Sequence, residues 1–242
     1  DSGEILCPAR FLASVEIEGD MADYVPANED EKKKLEQGFV RYRGKWLTKA
    51  AYQAELNKQA EASKARVAEL LAHSSFHDAW QKETKHFEVR SNTSPEILDY
   101  YCELLECYYD LMDQRVGNNP SPMLKKTKMK VSVYKSRAEF QEITQVDPGV
   151  AGFFNFIDGE LHFYHDYEDP SMSEATALHE ATHLLTFLIE PQADPCTWIN
   201  EGMADYFGTS VVTRNKKGKL EIQTGQLSLE SMITVQQAMA DG

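Results

Sequence analysis

Hydrophobic spacing divides the chain into short helices and strands. Residues 38–47, GFVRYRGKWL, are aromatic and punctuated by glycine, the pattern of a hairpin. Thr48 opens a stretch rich in Ala, Glu, Lys and Gln that predicts a helix to about Glu83. Its thin apolar stripe (Tyr52, Leu56, Ala60, Val67, Leu71) suits packing on one side only, and His73-Ser74-Ser75 is a candidate break. From Lys85 the pattern changes. His86–Arg90 alternates like a strand. Ser94-Pro95 supplies an N-cap and a first-turn proline for a helix that carries Ile97, Tyr101, Leu104, Leu105, Tyr108, Leu111 and Met112 on one face and stops at Gly117. A loop follows over Asn118–Pro122.

Met129, Val131 and Val133 alternate with polar neighbours, as in a strand with one buried face. Ser136 with Glu139 is a capping box for a short helix. Gly152–Phe156 and Glu160–Tyr164 around Asp158-Gly159 predict a hairpin. Ser171 with Glu174 is a second capping box, opening a helix to Glu190. After a loop over Pro191–Pro195, helix is expected from Thr197 to about Thr209, a hairpin over Val211–Gln223, and helix again over Leu227–Met239. Strands joined as hairpins and mixed with helices give an α+β fold, with a mainly helical N-terminal extension over 1–84 and the principal domain over 85–242.

Composition narrows the function. The 242 residues carry 25 Lys plus Arg against 39 Asp plus Glu, a net charge of −14, with 42% hydrophobic residues. That is apolar enough for a packed core and too acidic for a nucleic-acid binder, which needs a basic face. Residues 1–31 hold nine acids and one base, an acidic lead-in. No apolar run is long enough to span a membrane. The four cysteines, Cys7, Cys102, Cys107 and Cys196, form no CxxC. Cys102 and Cys107 point in different directions on a helix, which leaves one or two long-range disulfides open. The chain starts at Asp1 with no apolar signal segment, as in a processed protein or a cut piece of a longer one, where an export signal would not be seen; an exported protein (periplasmic or extracellular) is expected, with a cytoplasmic one as the alternative.

The chemistry concentrates at 179–183, His-Glu-Ala-Thr-His. On a helix, positions i and i+4 share a face, so His179 and His183 can reach one metal ion. Glu180 lies about 100° further round, beside the ion rather than on it, where it can take a proton from an activated water. Catalytic zinc takes three protein ligands and leaves a place for water. Glu201, in the helix that follows, is the candidate third ligand. Asp205, one turn on, can accept a hydrogen bond from the non-ligating nitrogen of one histidine, and Asn200 can do the same for the other. The ordinary alternatives are a core helix with hydrogen-bonded histidines and an acidic pair on a solvent face.

His179-Glu180-x-x-His183 with Asn200-Glu201-x-x-x-Asp205 resembles the gluzincin metallopeptidases, the thermolysin-like class with glutamate as third zinc ligand. The stretch from His86 to Phe207 is similar to a bacterial family of zincin-like domains of unknown function, through HFEVRSNTSPE, AEF, GVAGFF, LHEATHLL and WINEGMADYF. The resemblance is strong over 178–207 and diffuse elsewhere. It implies a small mixed sheet packed on an active-site helix, a glutamate helix below it, one Zn²⁺ held by His179, His183 and Glu201, and hydrolysis of peptide bonds in a peptide or protein substrate with Glu180 as general base. It also implies an exposed sheet edge where extended peptide adds, and Glu160–Tyr164, just before the active-site helix, is the expected edge.

One departure stands out. Thermolysin-like enzymes place a His or Tyr to stabilise the oxyanion well after the third ligand, and no His follows His183. Tyr206, Tyr164, His162 and His165 are the local candidates. The alternative expectation is a weakly active or inactive zinc- or peptide-binding module of a larger cell-envelope protein.

Overall fold

The computed structural model describes residues 24–117, 128–190, 195–227, 232–233, 236–237 and 239–240. Most of the acidic lead-in, the loop from Asn118, much of the Pro191–Pro195 loop, most of the C-terminal helix expected over Leu227–Met239, and Cys7 lie outside these residues. The chain divides into two compact units, Asp1–Ala72 and His73–Gly242. Residues 73–84, expected in the arm, therefore belong to the second unit.

In the first unit, α1 (Glu29–Glu36) is capped by Asn28, whose side chain accepts the Glu31 N–H. The expected hairpin forms as β1 (Phe39–Tyr42) and β2 (Lys45–Thr48). Its two-residue turn, Arg43-Gly44, takes positive φ at both positions, which matches the twist of the strands it joins. α2 (Lys49–Ala72) buries no residue, in keeping with its thin apolar stripe.

The single helix expected to Glu83 does not form. Ser75 accepts the His77 N–H and starts a short 3₁₀ turn over Phe76–Asp78, after which Trp80–Glu83 is a strand, β3. Its partner is β4 (Phe87–Ser91), so cross-strand pairing overrides the helix-forming composition of 80–83.

The second unit is built on a five-stranded mixed sheet in the order β3-β4-β5-β7-β6, with β5 at Met129–Tyr134, β6 at Gly152–Asn155 and β7 at Glu160–Tyr164. The central pairs β4–β5 and β5–β7 are parallel, and both edge strands are antiparallel to their neighbours. α3 (Pro95–Arg115) connects the first parallel pair and starts as expected, with Ser94 accepting the Ile97 N–H. α4 (Arg137–Thr144) follows β5. Only half of its expected capping box forms. Ser136 accepts the Glu139 N–H, but the Glu139 carboxylate takes a hydrogen bond from Asn92 Nδ2 instead of returning to the cap.

α3 and α5 (Pro170–Ile189) cover one face of the sheet. Phe87, Val89, Val131, Val133, Leu161 and Phe163 point into that layer and meet Tyr101, Leu105 and Leu178. On the other face Phe76, Tyr134, Phe140 and Tyr164 make a smaller cluster beside α4. Along α3 every residue expected on the apolar face is buried except Leu111, which is half-buried.

The second expected capping box gives way to a different start. Asp169 accepts the Met172 N–H and Pro170 takes the first helical position, so α5 begins a residue before Ser171. An acidic cap followed by proline is the stronger signal. α6 (Thr197–Gly208) and the hairpin β8 (Val211–Arg214) with β9 (Leu220–Gln223) complete the unit. Arg214 clamps that hairpin to α3 through a two-pronged ion pair with Glu103, at 3.1 and 2.8 Å. Cys102, Cys107 and Cys196 are free thiols.

Candidate metal centre

α5 buries Ala177, Leu178, Ala181, Thr182, Leu184 and Leu185 against the sheet and α3. The remaining arc carries His179 and His183 one turn apart. α6 lies across it, and the crossing is close because Gly208 has no side chain. A Cβ there would stand 3.1 Å from the His179 Cβ and 3.2 Å from the Ala175 carbonyl oxygen. Glu201 is the fifth residue of α6, about two turns before that contact.

Three ligand atoms converge between the helices. His179 Nε2 and His183 Nε2 are 3.3 Å apart, and Glu201 Oε2 lies 3.5 Å from the first and 3.7 Å from the second. A triangle with those sides has a circumradius of about 2.0 Å, so one ion placed on it would meet all three atoms at zinc-like distances of about 2.0–2.2 Å. Two imidazoles and one carboxylate also suit a borderline-soft cation. The His179-His183-Glu201 group can hold a metal ion.

The residues behind the ligands fit the same arrangement. Asp205 Oδ1 is 3.1 Å from His179 Nδ1, one helical turn beyond Glu201, and the Asn200 side-chain oxygen is 3.4 Å from His183 Nδ1. An acceptor at each Nδ1 places the proton there and turns the Nε2 lone pair toward the shared point. Glu201 and Asp205 remain about half exposed, which agrees with a site open on one side.

Glu180 takes no corner of this triangle, and its Oε2 accepts the Phe154 N–H of the edge strand at 3.0 Å. Burial raises its carboxyl above the usual carboxylate range. The nearby imidazoles of His179 and His183 and the Phe154 N–H pull the other way, and the Glu201 charge adds to the rise.

All four residues line one open cavity of about 540 Å³. Phe154 and Phe156 form its wall on the sheet side, and Phe153 lines it with its ring turned to the opposite face, onto His162. Along α5 the lining continues past His183 through Thr186 and Phe187 to Glu190. The rings of Phe154 and Phe187 lie 5.5 Å apart.

The structure corrects the expected substrate edge. β7 is an interior strand, hydrogen-bonded to β5 on one side and β6 on the other. The chain returns antiparallel through Phe156–Gly159, with Gly159 at φ +71° and its N–H on the Asn155 carbonyl at 2.8 Å, so β6 covers β7 and becomes the edge itself. β6 rests against α5 at Gly152, where a Cβ would meet Thr176 Cγ2 at 2.6 Å.

None of the oxyanion candidates lines the cavity. Tyr164 is core, packed with Phe76, Tyr134 and Phe140. His162 is on the sheet face opposite α5, its ring 4.8 Å from that of Phe153 and its Nδ1 3.1 Å from the Tyr134 hydroxyl. His165 is buried beside the Tyr101 hydroxyl at 2.8 Å. Tyr206 points to β9, with its hydroxyl 3.3 Å from Thr224 Oγ1. Strand alternation explains the first two, since β7 sends Leu161 and Phe163 toward α5 and His162 and Tyr164 to the other side. Trp198 and Ile199 are exposed, because α6 buries Ala204, Phe207 and Gly208 instead.

Sequence reasoning missed the aromatic wall, Glu190 and Gly208. Glu190 follows His183 by seven residues, two helical turns, so its place in the same row was readable. Ala204 and Gly208, small residues four apart, were the signal for a close helix crossing. Compared with known proteins, the chain matches no protein-family model and no curated protein.

Proposed function

We propose that this protein is a zinc-dependent peptidase of the gluzincin type, with a zincin-like domain over its second unit. The observation that carries this reading is the triangle of His179 Nε2, His183 Nε2 and Glu201 Oε2, with edges of 3.3, 3.5 and 3.7 Å, in the same cavity as the Glu180 carboxylate. Zinc held there supplies Lewis acidity, polarising a peptide carbonyl and making an attacking water more acidic.

The chain's own groups do the rest. Glu180 accepts the proton of the attacking water on a carboxylate oxygen and returns it to the departing amide nitrogen. Asp205 and Asn200 keep both imidazoles aimed. β6 offers the backbone groups of an edge strand, apart from the Phe154 N–H that Glu180 holds, to an extended peptide, a mode of binding with little dependence on sequence.

A second reading has its own support. Among the described residues no imidazole or phenol besides the two ligand histidines lines the cavity, and loss of an oxyanion donor costs roughly 10²–10³ in rate. This favours a zinc- or peptide-binding module with little turnover. Metal analysis combined with digestion of unfolded casein and a peptide library separates the two. Cleavage lost in Glu180→Gln with zinc retained supports the peptidase. Stoichiometric zinc with no cleavage of any substrate supports the module.

A further inference from the structure

The row that begins with His179 and His183 ends in a carboxylate that neither zinc binding nor proton transfer uses. Glu190 lines the cavity at the end of α5, seven residues beyond His183, a separation of about 10 Å along the axis. It is exposed, and among the described residues no cation pairs with it. Among the described residues no lysine or arginine lines the cavity. A divalent ion in the triangle would already be more than balanced by the carboxylates of Glu180, Glu201 and Asp205, which leaves the Glu190 charge over. Phe187 lies between His183 and Glu190 along α5, its ring 5.5 Å from that of Phe154, and both line the cavity.

We infer that Glu190 selects substrates carrying a lysine or arginine within about three residues of the scissile bond. The inference rests on the peptidase reading and adds the substrate class. An extended chain advances about 3.4 Å per residue, so 10 Å spans three residues. Lysine and arginine are the side chains whose alkyl stems can lie on aromatic rings while the charged head reaches past them. The net charge of −14 works in the same direction by drawing basic polypeptides toward the protein.

The test separates binding from turnover. Zinc-loaded Glu180→Gln protein is titrated with two fluorescein-labelled ten-residue peptides of alanine and serine, one with lysine at its centre and the other with norleucine. The lysine peptide is expected to bind about threefold to fivefold tighter, the range of an exposed ion pair, with the gap shrinking in 0.5 M salt and closing when Glu190→Gln is added. Equal binding of the two peptides, binding of neither, or a gap that survives Glu190→Gln overturns the inference. Wild-type protein is digested against a peptide library in parallel. Cleavage without enrichment of lysine or arginine within three positions of the cut overturns the Glu190 assignment and keeps the peptidase. A lysine preference in binding with no cleavage by the wild type keeps the assignment and removes the peptidase.

Discussion

The Glu180 carboxylate and the Phe154 amide meet at 3.0 Å, and this contact ties the residue after the first ligand histidine to the exposed edge of the sheet. Glu180 stands beside the ligand triangle and takes no corner of it. Glu180→Gln is therefore expected to leave zinc content unchanged and to lower peptide cleavage roughly 10²–10⁴-fold. Elemental analysis and turnover on one preparation check it, and loss of zinc in the variant would count against the assigned role.

In the proposed site Asp205 would act on the metal through His179. Asp205→Ala removes the acceptor at Nδ1, 3.1 Å away, and is expected to weaken zinc binding about 10–100-fold with the fold intact. Competition with a chromophoric chelator measures the affinity, and circular dichroism reports the fold. An unchanged affinity would remove Asp205 from the site.

Gly208 sets how closely α6 approaches α5. In Gly208→Ala the added methyl meets the His179 Cβ at 3.1 Å and the Ala175 carbonyl oxygen at 3.2 Å, both on a packed helix that cannot give way easily. A destabilisation of about 1–3 kcal/mol is expected, along with weaker zinc binding, because the helix carrying Glu201 must move. Urea titration and chelator competition should shift together.

Glu106 gives the second unit an acid-labile joint. Burial would raise its carboxyl, but hydrogen bonds from Thr84 Oγ1, the His86 N–H and the His86 ring outweigh it and hold the carboxyl below its usual range. A depressed carboxylate contributes stability that is fully present above its unfolded pKa, near 4.3, and is lost as pH falls through the lower folded value. Wild-type stability should fall over that acid interval. Glu106→Gln should be less stable at neutral pH and flatter in acid, as read by denaturant titration from pH 3 to pH 7.

Much of the site was legible in the sequence because helical spacing is local. His179, Glu180 and His183 take relative positions set by the helix alone, and Asn200, Glu201 and Asp205 do the same on α6. What spacing cannot supply is the order of strands. Glu160–Tyr164 and Gly152–Phe156 both read as strands, and nothing within either says which has a neighbour on both sides. That depends on β5 pairing with β7, a contact between residues 30 positions apart such as Val131 with Leu161 and Tyr134 with Tyr164. The helix expected through Glu83 failed for a similar reason, since Trp80–Glu83 forms a strand only because Val89 and Arg90 are there to pair with it. Capping was half legible. Ser94 behaved as its sequence suggested, while Asp169-Pro170 displaced Ser171 from the start of α5.

An uncovered strand is also a hazard, since the row of amide and carbonyl groups that welcomes a foreign chain welcomes a second copy equally well. β6 is only four residues long, and one of its amides is already occupied by the Glu180 carboxylate. A second β6 laid alongside would have to displace that carboxylate and bring another like it to the same seam. The arrangement thus works against self-association along the strand, with mutual repulsion between acidic groups keeping the molecules apart in concentrated solution.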